Sequence, residues 1–147
     1  MDRNVEKYRT QQVMTASPAK LVFMLYDKAI LSLREAIAAI ERGEIEERWK
    51  ANKRAIEILE NVWSMLDTEQ GGEIARSLDK LLMTALMRLP DVDIHNDAKA
   101  AEDVIRILEP LRDAWREIAM KGVGAAGADQ PGAAAAQPAT ERTIVSA

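Results

Sequence analysis

The stretch that decides the fold is residues 45–66, IEERWKANKRAIEILENVWSML. Steps of four and three residues alternate along it, through Ile45, Trp49, Asn52, Ile56, Leu59, Trp63 and Leu66. All of these except Asn52 are apolar, and the pattern is typical of a helix whose seam packs against other helices. A buried polar residue in such a seam can fix the register of the packed helices. We therefore predict a helix from about Glu44 to Asp67, with Asn52 as its register residue.

The segment upstream of this stretch predicts a second amphipathic helix. Ser17-Pro18 is a favourable start, because Ser is a good N-cap and Pro fits the first helical position; Gly43 is a natural stop. One apolar face recurs at three- and four-residue steps: Val22, Leu25, Tyr26, Ala29, Ile30, Leu33, Ile37 and Ile40. Phe23, Met24 and Leu31 lie off that face, so the helix has a second apolar surface that needs covering.

Two further helices are predicted downstream. Gln70-Gly71-Gly72 breaks the chain, and Pro90 with the acidic stretch after it ends the third helix. The predicted inner face of that helix is Ile74, Leu78, Leu81, Leu82, Ala85, Leu86 and Leu89. Asn96 or Asp97 caps the fourth helix, whose seam is Ala101, Val104, Ile105, Leu108, Leu111, Trp115 and Ile118. The seam continues in phase past Pro110, so we expect a kink near residues 106–110 and not a helix end.

These elements predict an all-α fold, an antiparallel up-down-up-down four-helix bundle spanning residues 17–120, because short connections make sequential helices antiparallel neighbours. Residues 1–16 form a short N-terminal arm. Residues 121–147 are rich in Ala, Gly and Pro and cannot bury enough apolar surface to offset their conformational entropy, so we predict a disordered C-terminal tail. Ile144 and Val145 are a candidate docking motif in that tail.

Composition excludes several classes of protein. The 147 residues suit one domain, and the absence of Cys excludes disulfides and cysteine metal sites. A net charge of -4 argues against nucleic acid as the main partner. The polar N-terminus does not resemble a signal peptide, and no run of about 18 apolar residues predicts a membrane span. We expect a cytoplasmic protein (cytosol).

His95 is the only histidine and lies in the acidic stretch DVDIHND, residues 91–97. A calcium loop starting at Asp91 would need Gly where Asn96 stands. A phosphotransfer protein exposes its His in mid-helix, whereas His95 precedes a helix. A di-iron bundle needs Glu-x-x-His on two helices, which one His cannot supply. The favoured interpretation is a solvated segment whose acidic residues favour a helix N-terminus.

The remaining patterns favour binding over catalysis. The sequence contains no Gly-rich phosphate loop, a Cys nucleophile is impossible, and nothing positions His95 beside a Ser. We predict no enzyme activity and no cofactor. Methionine is adaptable and frequent on surfaces that accept peptide helices. The pair Met83 and Met87, one helical turn apart, together with the apolar surplus of the first helix, favours a peptide-binding groove.

Several motifs resemble, in order, those of the flagellar secretion chaperone (FliS) family. They begin with Tyr8, then Gln11-Gln12-Val13, then the cap and first-helix segments TASPAKL (15–21) and MLYDKAI (24–30). Further along are NKRAIEIL (52–59), IHND (94–97) and LRDAW (111–115). The resemblance covers residues 5–119. The third helix departs from the family pattern, with Leu82-Met83-Thr84 where Tyr-Asp-Tyr is frequent, and Pro110 and the tail are also unusual.

The resemblance implies a cytoplasmic chaperone that binds the disordered C-terminal segment of flagellin in apolar helix grooves. It implies that this prevents premature polymerisation and aids delivery to the flagellar type III export gate, a component of which is then a second partner. Self-association into a dimer is left open. The candidate partner-binding residues are Tyr8, Val13, Met14, Leu25, Tyr26, Met83, Met87, Ile94 and Asn96.

The arm is expected to fold back over the groove, with Tyr8 as its anchor, until the client displaces it. The alternative to a chaperone is a small helical-bundle signalling or regulatory protein, of the phosphotransfer or metal-sensing kind. Bound metal or acid-labile phosphate would favour this alternative. A stoichiometric complex with an otherwise disordered helical tail would favour the chaperone.

Overall fold

The computed structural model describes residues 17–121. The predicted arm, and the predicted tail after Lys121, lie outside the described residues. The described part contains four long helices and one short one: α1 (Pro18–Arg42), α2 (Ile45–Ser64), α3 (Gly72–Arg88), α4 (Pro90–Ile94) and α5 (Ala98–Met120). This confirms the predicted all-α antiparallel bundle.

The limits of α1 follow from its capping residues, as the sequence predicts. The Ser17 side-chain oxygen accepts a hydrogen bond from the Lys20 backbone N–H at 3.2 Å, and Pro18 occupies the first turn. Gly43 ends the helix in the left-handed region, with φ 71°, and its N–H returns to backbone carbonyls of the last turn. A residue with a Cβ would be strained there, which is why Gly is the usual residue at this place.

The connection between α3 and α5 differs from the predicted irregular acidic stretch, because it contains the short helix α4. Pro90 cannot donate a backbone hydrogen bond to continue α3, but its fixed φ is suited to the first turn of a new helix. Asp97 then caps α5, and its carboxylate accepts hydrogen bonds from the N–H groups of Lys99 and Ala100. Helix α5 continues without interruption through Pro110, as the periodicity predicts.

The core is centred on α1, which lies between α2 and α5 and packs extensively against both. Its Ala29, Ala36 and Ala39 are buried, so the backbones of neighbouring helices can approach closely. Completely buried apolar side chains come from every helix: Tyr26, Ile30 and Leu33 from α1, Leu59 from α2, Leu82 from α3, Val92 from α4 and Leu108 from α5. Burial of one such side chain contributes roughly 1.5–3 kcal/mol.

Helix α3 is attached less firmly than the other long helices. It meets α2 and α5 over a much smaller surface than those helices share with α1. Its Leu82 and Ala85 reach the common core, whereas Ile74 and Leu81, which the sequence places on the inner face, are exposed. The predicted inner face of α3 is therefore too wide: only its central stripe is covered, and its edges face solvent.

Burial of Tyr26 leads to a prediction about stability at high pH. Desolvation raises the pKa of its hydroxyl well above the ordinary value. Below pH 10 both states keep the proton, but above it the unfolded state loses the proton and the folded state does not, so stability falls. We expect wild type to lose about 1.4 kcal/mol relative to Tyr26→Phe between pH 8 and pH 11.

Urea unfolding at both pH values measures this difference. Tyr8→Phe is the matched control, because it removes the hydroxyl of the other tyrosine in the chain. It measures how much that tyrosine contributes to the pH dependence of the free energy of unfolding. Equal pH dependence of wild type and Tyr26→Phe would show that the Tyr26 hydroxyl is not held protonated by the fold.

Candidate functional site

Ten large apolar side chains are exposed on the surface of the described residues. They are Leu31, Ile45, Trp49, Trp63, Ile74, Leu81, Met83, Met87, Ile94 and Met120. Seven of them lie on α2 and α3, the two helices on either side of the smaller interhelical contact. Single exposed apolar residues are ordinary, but a contiguous group marks a surface that binds a partner.

One row of this surface runs along α2. Trp49 and Trp63 are 49% and 38% exposed, and Ile56, midway between them, is half-buried. Residues seven apart lie on nearly the same side of a helix, so these three side chains form a stripe. The Nζ of Lys53 lies 5.0 Å from the centroid of the Trp49 ring, a cation–π contact at the outer edge of the stripe.

The facing row belongs to α3. The indole Nε1 of Trp63 donates a hydrogen bond to the Asp79 carboxylate, which fixes the side of α3 that faces the stripe. Met83 and Met87 follow Asp79 at four-residue steps and therefore lie on the same edge of α3. We call the surface between these two rows the α2–α3 groove, and define it by Trp49, Ile56, Trp63, Met83 and Met87.

A buried polar contact closes one end of the groove. The Asn52 side-chain amide donates to the Leu89 carbonyl oxygen at 3.0 Å and to the Asp93 carboxylate at 2.9 Å. Arg48 joins the same group, donating to Asp93 at 3.1 Å and to the side-chain oxygen of Asn96 at 2.7 Å. Asn52 is completely buried, as the sequence predicts, and it sets the register of α2 against the α3–α4 junction.

A second polar cluster, around Arg88, holds α4 in place. Its guanidinium contacts carboxylates of Asp91 at 2.6 Å, Asp103 at 3.2 Å and Asp97 at 3.4 Å. Partial desolvation lowers the pKa of Arg88, but hydrogen bonds to Asp103 and Asp91 outweigh it and raise the pKa above its ordinary value. Ion pairs of Arg88 therefore hold the C-terminal end of α3 in place, whereas its N-terminal end begins at the Gly71-Gly72 turn.

The structure brings together only part of the predicted set of partner-binding residues. Met83 and Met87 lie on the groove, and Ile94 is 70% exposed on α4 near its closed end. Leu25 is half-buried on α1 and packs against the core. Tyr8, Val13 and Met14 lie outside the described residues, together with the expected folding of the arm over the groove.

Two predicted residues have structural roles. Tyr26 is 1% exposed and belongs to the core cluster, so its side chain is not on the surface. Asn96 has a positive φ of 50°, and its side-chain oxygen accepts the hydrogen bond from Arg48. Asn tolerates the left-handed region better than most residues, so Asn96 shapes the turn into α5.

The residues that the sequence analysis missed are on α2. Ile45, Trp49 and Trp63 were assigned to the core seam, yet all three are exposed. The alternating four-and-three spacing could have indicated that the Trp residues are exposed, because residues along it fall into two separate rows, each with seven-residue steps. In one row Asn52 and Leu59 are buried, although Ile45 at its N-terminal end is exposed; in the other row Trp49 and Trp63 are exposed and Ile56 is half-buried.

His95 lies at the C-terminal end of α4 with a largely exposed side chain, and its Nε2 is 3.8 Å from the Asp91 carboxylate. Between residues 17 and 121 no group of three or more His, Cys, Asp or Glu side chains is arranged to hold a metal ion. Within the same range, none of the helices has the length and apolar character needed to cross a membrane.

Comparison with known proteins agrees with this architecture. The family model described as "Flagellar protein FliS" matches residues 1–122. The flagellar secretion chaperone FliS of Salmonella typhimurium is 38% identical over 110 residues, covering 74% of this chain and 82% of the relative. The FliS chaperone of Vibrio cholerae is 34% identical over 107 residues, covering 73% and 79%.

A more distant relative, the flagellar secretion chaperone FliS of Bacillus subtilis, is 27% identical over 110 residues, covering 75% of this chain and 81% of the relative. The match therefore extends across the whole described bundle, and it agrees with the motifs in the arm and in α1. The chain belongs to the FliS family of flagellar secretion chaperones.

Proposed function

We propose that this protein is a cytoplasmic chaperone that binds the disordered C-terminal segment of flagellin in the α2–α3 groove. Bound there, the segment is kept from polymerising early and is handed to a component of the flagellar type III export gate. The observation that carries the proposal is the exposed apolar surface of the α2–α3 groove, with Trp49 and Trp63 on α2 and Met83 and Met87 on α3.

The chemistry of the groove suits a helix that forms on binding. An amphipathic segment places apolar residues at three- and four-residue steps, which fits the Trp and Met rows of the α2–α3 groove. The flexible thioethers of Met83 and Met87 adapt to irregular partner side chains. The ordering cost of the segment subtracts from the gross affinity, so the complex can be released at the export gate.

The loose attachment of α3 also supports this proposal. A client helix that packs between α2 and α3 would cover the Met83 and Met87 edge that the bundle itself leaves exposed. The polar contacts of Asn52 and Arg88 would hold the α3–α4 junction fixed while the N-terminal half of α3 adjusts to the client. Among the candidate residues, Ile94 is placed where it would extend the apolar surface beyond the closed end of the groove.

Titration with a synthetic peptide of the flagellin C-terminal segment tests the proposal. We expect stoichiometric binding, a gain of helical circular dichroism in the peptide, and a blue shift in tryptophan emission as Trp49 and Trp63 lose water. A scrambled peptide of the same composition is the control. Absence of binding by the native peptide at high micromolar concentration would contradict the proposed client.

A further inference from the structure

The two methionines of the α2–α3 groove are open to oxidants in solution. Met83 is 41% exposed and Met87 is 76% exposed, and they lie one helical turn apart on the same edge of α3. Met24 and Met65, by contrast, are half-buried. A peroxide must reach the sulfur atom to oxidise it, so exposed methionines react first. In the client-free chain the groove therefore offers a pair of reactive thioethers.

We propose that Met83 and Met87 form a redox-sensitive modification site, at which hydrogen peroxide yields methionine sulfoxide and closes the groove to the client. This inference rests on the proposed function, which places the client in the groove. The sulfur lone pair attacks one peroxide oxygen, a sulfur–oxygen bond forms and the oxygen–oxygen bond breaks. The departing hydroxide takes the proton from the transferred oxygen and becomes water. Sulfur loses the two electrons that the peroxide gains, and methionine sulfoxide reductases reverse the change.

Oxidation would oppose client binding because of how a sulfoxide is solvated. The sulfoxide oxygen is a strong hydrogen-bond acceptor, and water satisfies it in the free protein. A bound client helix would remove that water, and burial of an unpaired polar group is costly. The indole N–H of Trp63 is not available as a substitute donor, because it already donates to the Asp79 carboxylate. The same cost would arise at two positions of one row.

The bundle itself would tolerate this oxidation. Neither methionine belongs to the buried face of α3, which consists of Ala75, Leu78, Leu82 and Ala85. A polar group on an exposed edge keeps most of its water when the chain folds, so it costs the folded state little. The response would therefore be confined to binding, and reduction of the sulfoxides would restore a working groove.

Peptide mapping by mass spectrometry after brief peroxide treatment tests the site itself. We expect Met83 and Met87 to be oxidised before Met24 and Met65 in the client-free chain. A saturating flagellin C-terminal peptide should slow their oxidation about tenfold, because a covered side chain meets the oxidant only when the complex opens. Met120, 79% exposed at the end of α5, should react equally fast with and without the peptide.

Calorimetric titration with the same peptide, before and after peroxide treatment, tests the consequence. We expect oxidation to weaken binding about tenfold, and the two reductases, one for each sulfoxide epimer, to restore it. Met120→Leu should respond to peroxide as wild type does. The double variant Met83→Leu/Met87→Leu should show the same affinity before and after treatment, because leucine has no sulfur. That variant keeps Met1 and Met14, so it also tests whether they contribute.

Four results would overturn the proposal. They are oxidation of Met83 and Met87 no faster than that of Met24 and Met65, unchanged affinity after both are oxidised, an equal loss of affinity in the double variant, and a fall in helix content on oxidation. The last would mean that unfolding causes the loss of binding. Failure of the untreated chain to bind the peptide is a distinguishable outcome, because it contradicts the proposed function and the switch together.

Discussion

Replacing Asn52 by alanine is expected to lower the free energy of unfolding by about 2–4 kcal/mol, because it removes one buried and one partly buried hydrogen bond and leaves a small cavity. The Leu89 carbonyl would lose the donor that reaches it from α2, and Asp93 would keep only Arg48. For a bundle of this size the loss corresponds to a melting point lower by roughly 10–15 °C.

Asn52→Asp should destabilise the protein more than Asn52→Ala at neutral pH. The new carboxylate would face the Leu89 carbonyl and the Asp93 carboxylate, so an acceptor would replace a donor in a buried site. Asn61→Ala is the matched control, because Asn61 lies on the same helix with an exposed side chain. Thermal unfolding of the three variants measures the effect, and equal melting points for Asn52→Ala and Asn61→Ala would refute the structural role of Asn52.

A negative charge in the α2–α3 groove is expected to weaken binding of the flagellin C-terminal peptide on the order of 100-fold, the cost of placing a carboxylate at a desolvated contact. Met83→Glu is the sharpest variant, since Met83 is 41% exposed and its replacement does not enter the core. Helix content and melting point should stay close to those of wild type.

Met120→Glu is the matched control for this experiment. Met120 is also an exposed methionine, but it lies at the end of α5, away from the groove. Calorimetric titration measures both affinities. Equal affinities for the Met83→Glu and Met120→Glu variants would remove the α2–α3 groove from the proposed mechanism.

Local sequence signals predicted the helices well. The Ser17 cap, Pro18 at the helix start and Gly43 at its end are set by short-range hydrogen bonding and backbone sterics, so the limits of α1 could be predicted without tertiary information. The short helix α4 was missed because Pro90 signals both the end of one helix and the first turn of another. Whether a new helix begins at Pro90 depends on the ion pair between Arg88 and Asp91 across the junction.

Sequence periodicity did not determine which candidate partner-binding residues are exposed. Met83 and Met87, chosen for their four-residue spacing, are exposed on α3. Tyr26, a candidate partner-binding residue, is buried, and a Tyr on the inner face of α1 has the same periodicity whether its ring meets the core or a partner. Asn96 was placed in the binding surface, whereas its side chain serves the turn before α5.

The sequence by itself determined the antiparallel helical bundle, the start and end of its first helix, and the burial of Asn52. Its motifs also determined the family. Periodicity measures the angle of a side chain about its own helix axis. It does not measure where the neighbouring helices stand. Only the tertiary structure decided that the row of Trp49, Ile56 and Trp63 faces outward. Close packing on the small residues of α1 draws α2 and α5 inward, so α3 is left with a smaller contact and an open apolar groove beside it.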